Sequence, residues 1–145
     1  MYVSIMEFNF IIALIALLIA WGVTILIKVV TEVIKNKKFD LYYLVTDGGF
    51  PSSHSSLISS LVTISFFYSG FSLATFIILF VSFIIIRDAL GVRREVGKQK
   101  IILEKLSPDL AHSLKLRREG HNIWQVLFGV LFGVTITLLV LVLIV

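Results

Sequence analysis

Two histidines are the residues best equipped for chemistry in this chain. His54 lies within Gly48-Gly49-Phe50-Pro51-Ser52-Ser53-His54-Ser55-Ser56, where glycine and serine lead into an apolar run, and His121 stands just ahead of the last apolar run. Proline suits the first position of a helix, so Pro51 is expected to open one whose first turn carries Ser52, Ser53 and His54. The N–H groups of such a turn attract an anion. A serine-rich start is equally what an ordinary capped membrane helix shows. Gln125 follows His121 by four residues, so its amide can meet the imidazole on one helical face. The third histidine, His112, sits among charged residues and reads as surface.

Cations gather around a third segment, Arg87-Asp88-Ala89-Leu90-Gly91-Val92-Arg93-Arg94-Glu95-Val96-Gly97-Lys98. If the preceding helix continues through it, Arg87, Gly91, Arg94 and Lys98 share one stripe at 100° per residue. Asp88 and Glu95 lie beside that stripe, and Arg93 points elsewhere. Three cations on one face can hold a phosphate. They are also what a helix presents when its basic end leaves a membrane and reaches toward water and anionic headgroups.

The elements that must position these residues are long apolar runs. Of 145 residues, 58% are hydrophobic and 15% charged, the mean hydropathy is +1.02, and there is no cysteine. Soluble domains carry about a quarter of their residues as charges, so the composition describes an integral membrane protein. Length allows a single domain, and the expected fold is all-α: a polytopic membrane helical bundle with about four transmembrane helices. The spans are placed at about 8–28, 51–68, 73–92 and 122–145. No Lys or Arg precedes the first, which therefore reads as a membrane helix and not a cleaved leader, with Lys28 marking its exit. Ser52, Ser56, Ser59 and Thr63 recur at helical spacing, and Gly129 and Gly133 form a GxxxG pair, both devices for close helix contact. A cytoplasmic amphipathic segment is expected between Ser107 and Gly120, with Leu110, Ala111 and Leu114 toward the membrane or bundle and Lys115, Arg117 and Arg118 in water. Trp124 is placed at the interface.

Charge sets the orientation. All 13 Lys and Arg fall within 28–38 or 87–118, so the positive-inside rule puts both basic loops in the cytoplasm and both termini outside a cell membrane. The second and fourth spans then run outward, and His54 and His121 stand at cytoplasmic helix N-termini, where the helix dipole favours an anion. The third span returns Arg87, Arg94 and Lys98 to the same level. Two imidazoles beside a cationic cradle suffice for phosphoester hydrolysis without a metal. One attacks phosphorus, the other protonates the leaving alcohol, and the cations stabilise the equatorial oxygens.

The same three segments resemble the divergent membrane branch of the type 2 phosphatidic acid phosphatase superfamily, related to vanadium haloperoxidases. Gly-Gly-Phe-Pro-Ser-Ser-His-Ser at 48–55 is similar to its Pro-Ser-Gly-His element, with Ser53 where the wider superfamily has glycine. Asp88 to Lys98 is similar to an Asp-x-x-Gly-Val-Arg-Arg segment, and Gly120 to Gly129 to the last element. The resemblance implies His121 as nucleophile and His54 as general acid, with Ser53, Arg87, Arg93, Arg94, Lys98 and Lys28 around the phosphate and Asp88 and Gly91 supporting them. Three departures stand out. Lys28 and Lys35 match a Lys-x6-Arg-Pro element only in spacing, Lys115 alone stands for an arginine six residues before His121, and Gln125 occupies the place of an acidic residue. An amide can accept from the imidazole but cannot offset its positive charge.

The expected activity is hydrolysis of a lipid phosphomonoester or pyrophosphate at the cytoplasmic face through a phosphohistidine, with no cofactor and no metal. The expected partners are the lipid bilayer and a membrane lipid phosphate, no nucleic acid being expected, and an oligomer is compatible with the sequence. The alternative is a catalytically silent relative that binds anionic lipid or a membrane partner through the same basic face.

Overall fold

The first apolar run forms a helix longer than its hydrophobic stretch. In the computed structural model, which describes residues 8–45, 48–109 and 121–145, α1 covers Phe10–Asn36. Asn9 caps its start by accepting from the N–H groups of Ile11 and Ile12 at 3.1 and 3.2 Å. At the other end Glu32 accepts from Asn36 at 3.0 Å, and Lys37 closes the helix in the left-handed conformation, at φ 53°. The helix runs on past Lys28 for about two more turns, and the Lys28 side chain is 1% exposed. The inner face of α1 is Ala13, Ala16, Ala20, Thr24 and Lys28, a mostly small-residue stripe against which neighbours can lie closely. A single-turn helix, α2 (Tyr42–Val45), follows.

The second run begins two residues later than proline chemistry suggests. Ser52 is the cap and α3 covers Ser53–Ser69, while Pro51 precedes the cap and is joined to Phe50 by a cis peptide bond. The reason is local: a serine hydroxyl can accept a first-turn N–H, here that of Ser55 at 3.4 Å, and a proline ring cannot. Gly70, at φ 55°, turns the chain into α4 (Leu73–Leu90), capped by Ser72. Ser65 and Thr75 share a hydrogen bond of 2.9 Å across this hairpin.

At Gly91 the expected continuation breaks. Its φ of −101° and ψ of −88° depart from helical values and separate α4 from α5 (Val92–Leu106), glycine being the residue that leaves the helix at least cost. The single stripe expected through Arg87, Gly91, Arg94 and Lys98 is interrupted there. Among the described elements, α5 packs on α4 alone. The last helix, α6, covers Ile123–Ile144.

The bundle is built around α3, which touches α1, α4 and α6. Thr24 pairs with Ser56 and Thr31 with Phe50, so α1 runs antiparallel to α3; Ser52 pairs with Gln125 and Ser60 with Gly133, so α6 runs parallel. The C-terminal ends of α1 and α4 therefore meet the N-terminal ends of α3 and α6. At the opposite end Ala13, Ala16, Ile64, Tyr68, Val140 and Leu141 form the apolar core.

Three stretches are long and apolar enough to cross a membrane: Phe10–Asn36, Leu73–Leu106 and Ile123–Ile144. α3, at 17 residues, is shorter. It compensates by position, since its serine-rich surface is covered by other helices and its hydroxyls are satisfied inside the bundle. Ser59 donates to the Val130 carbonyl and Ser60 to that of Gly133, both at 3.3 Å. A Cβ on Gly129 would overlap the Ser52 carbonyl oxygen, and one on Gly133 the Ser59 hydroxyl and the Ser56 carbonyl. The GxxxG pair and the serine stripe are two halves of one contact.

Candidate active site

The turn before α3 is pinned from three sides. Thr31 donates its hydroxyl to the Phe50 carbonyl at 2.6 Å, the Ser52 N–H donates to the Gln125 carbonyl at 2.9 Å, and the rings of Phe50 and Phe128 lie 5.1 Å apart. Gly49 is required twice over. It sits at φ 103°, and a Cβ there would come within 3.3 Å of the Lys28 side chain. Lys28 is thus a buried support beneath this turn, its alkyl stem packed against Gly49.

From that turn Ser53 begins α3 and His54 follows it, exposed, at the mouth of a cavity of about 210 Å³. Ile85, Asp88 and Ala89 from the end of α4 form the opposite wall, and His121 closes it. His121 is 4% exposed, and its backbone N–H donates to the Ala89 carbonyl at 3.3 Å, tying the start of α6 to the end of α4.

The ring of His121 is oriented by the helix cap behind it. Asn122 caps α6 and accepts from the Gln125 N–H at 2.9 Å, while the Gln125 side chain accepts from the Asn122 N–H at 2.9 Å. Because a backbone N–H needs an acceptor, the Gln125 atom so engaged is the amide oxygen. The same oxygen lies 3.3 Å from His121 Nδ1, which must then carry the proton. That tautomer leaves the lone pair on Nε2.

The remaining sequence candidates are distributed unevenly. Asp88, expected as a neutralising partner of a cation stripe, faces the cavity with both imidazoles, so a carboxylate is present although Gln125 is not one. Arg87 is exposed at the end of α4. Gly91 forms the junction, and Lys98 is exposed on α5, paired with Glu95 at 2.6 Å. The side chains of Arg93 and Arg94 lie outside the described residues, as do His112, Lys115, Arg117, Arg118 and most of the expected amphipathic segment. The described lining contains no Lys or Arg. Ile85 and Ala89 escaped the sequence reading. The small Ala89 beside Asp88 was the available signal, since only a small residue admits another backbone so closely.

Helices long enough to span a bilayer, with a cavity holding two histidines and a carboxylate at one end, define a helical membrane protein. The chain belongs to the divergent PAP2 family, whose model matches residues 9–136. It is similar to the uncharacterized membrane protein YuiD of Bacillus subtilis, with 29% identity over 130 residues, covering 77% of this chain and 82% of that one. No solved structure matches significantly.

Proposed function

We propose that this membrane protein hydrolyses a lipid phosphomonoester or pyrophosphate, with His121 as nucleophile and His54 as general acid. The observation that carries the reading is the single cavity lined by His54, Asp88 and His121. His121 Nε2 attacks phosphorus and the P–O bond to the lipid breaks. The leaving oxygen takes the proton of His54, which begins as an imidazolium. Neutral His54 then takes a proton from the water that attacks the phosphohistidine, phosphate departs, and both rings return to their starting states.

Asp88 supports the imidazolium in this scheme, a task that neutral Gln125 cannot perform. The N–H groups at the start of α3, and the cations Arg87, Arg93 and Arg94 around the Gly91 junction, supply charge for the equatorial oxygens. Lys28 and Lys98 serve more remotely, the first beneath the turn and the second on α5. The gathering of Lys and Arg within 28–38 and 87–118 supports a cytoplasmic position for this end of the bundle, with both termini outside.

The test is release of inorganic phosphate from lipid phosphates by purified protein in detergent with EDTA, together with acid-quench trapping of a phosphoenzyme. Turnover and a trapped adduct, both absent in His121→Ala, are the expected result. One observation favours a second reading, a silent lipid-binding relative: Gln125 stands where an acid would assist. Binding of lipid phosphate with neither turnover nor adduct would decide for it.

A further inference from the structure

Three cavities follow one another along α3. The first is the histidine cavity. The second, about 170 Å³, is walled by Ile58 and Val62 of α3, Ser82 and Ile86 of α4, and Val130 and Val134 of α6. The third, about 490 Å³, lies between Val62, Phe66 and Phe67 of α3 and Val134 and Leu138 of α6. Val62 and Val134 line both the second and the third, while the adjacent Ile85 and Ile86 line the first and the second. On α3, His54, Ile58, Val62 and Phe66 recur every four residues and so form a ridge that winds slowly around the helix.

The middle of this path is apolar, whereas the head and the far end, which Thr63 also lines, both carry polar surface. Two imidazoles and a carboxylate face its head, whereas the hydroxyls farther down are bonded within the bundle, Ser82 and Thr63 to their own helices and Ser59 to both α3 and α6. Ser59 donates to the Ser56 carbonyl at 3.0 Å, Ser82 to Ile78 at 2.6 Å and Thr63 to Ser59 at 2.8 Å. What remains toward the middle section is carbon. The described lining of the third cavity comes from α3 and α6 without α4, so the groove opens sideways there, at the depth of lipid tails.

We infer that this groove holds one hydrocarbon chain of the substrate, acyl or prenyl, with its phosphate at the histidines. The inference rests on reading the histidine cavity as the seat of a lipid phosphate. From His54 to Phe67 the helix rises about 20 Å, which suits a long chain and leaves a short one with most of the groove empty. A second helix, about 10 Å across, cannot enter the 170 Å³ middle section. The order of the three cavities along α3, polar head first, also favours a molecule that joins a phosphate to a chain.

The experiment uses the full chain in lipid nanodiscs with a long-chain alkyl phosphate carrying a diazirine near its tail. Labelled residues are mapped by mass spectrometry and phosphate release is measured on the same sample. Label on the half-buried Val62 or Val134 is expected, competed roughly tenfold better by long-chain than by butyl phosphate. Val62→Trp should lower the long-chain to butyl ratio of kcat/KM by about tenfold or more. Label confined to the outward-facing Leu18, Phe80 and Leu139 would overturn the groove, as would an unchanged ratio in Val62→Trp. Groove label without phosphate release would keep the groove and remove the hydrolase, and release with label only on outer faces would do the reverse.

Discussion

A single amide oxygen holds two donors at the centre of the site. Gln125 accepts from the Asn122 N–H and lies within reach of His121 Nδ1, so it closes the helix cap and sets the tautomer together. Gln125→Glu keeps both acceptors and adds a charge that stabilises the imidazolium, so kcat should rise by about tenfold, the size of effect that partners behind a catalytic group commonly show. Gln125→Leu loses both and should lower activity and melting temperature alike. Asp88→Asn should lower kcat about tenfold with little change in KM, because the proposed role is exerted on imidazole charge; a rise in KM alone would place Asp88 in substrate binding instead. The two histidines are separable by leaving group. His54→Ala should slow an alkyl phosphate strongly and spare p-nitrophenyl phosphate, whose leaving group barely needs a proton, whereas His121→Ala should abolish both.

Between elements, the α3–α6 contact determines whether the histidines share a cavity at all. Gly133→Leu must separate the two helices, since even a Cβ there overlaps Ser59 and Ser56. A loss of about 1–3 kcal/mol is expected from such overpacking, measured as a lower midpoint in detergent unfolding, with activity falling because Ser52 and Gln125 are drawn apart. Gly22 on α1 is the counterpart. Nothing lies within 4 Å of a Cβ placed there, so Gly22→Ala should be neutral or stabilising by about 0.5–1 kcal/mol through helix propensity. If both glycine substitutions behaved alike, the close contact would not be the source of the effect.

Over the whole molecule, the antiparallel alternation of α1, α3 and α4 brings four helix ends together, and membrane sidedness then decides where the chemistry happens. Cysteines placed singly at Lys38 and Lys98 should react with an impermeant maleimide from the cytoplasmic side, and one at the exposed Phe71 from the outside. Labelling of Lys38→Cys and Phe71→Cys from one side would overturn the proposed topology. All three positions are exposed, so reagent access is not in question.

Much of this organisation is legible in the order of residues alone. Apolar runs require helices because a bilayer cannot hydrogen-bond the backbone, and the alternating direction of spans set out by one-sided Lys and Arg already puts His54 and His121 at one level. The stripe through Ser56 and Ser59 and the Gly129/Gly133 pair announces a close contact, since small residues at helical spacing have few other uses. Helix starts are local too, and the one misplaced, Pro51 for Ser53, differs by two residues. Facing depends on more than local pattern. That Lys28 turns inward beneath Gly49 follows from how α1 lies against the turn before α3, and no period in α1 reveals it. That Asp88 faces the imidazoles while Lys98 lies out on α5 follows from the break at Gly91 and the anchoring of His121 to Ala89. The sequence by itself determined which segments are helices, in which direction each runs and which end carries the histidines, because hydropathy, caps and charge act within a turn or a span. The tertiary structure alone decided which side chains share a cavity and which apolar hollows lie beyond it along α3, because both depend on the crossing of three helices remote from one another in the chain.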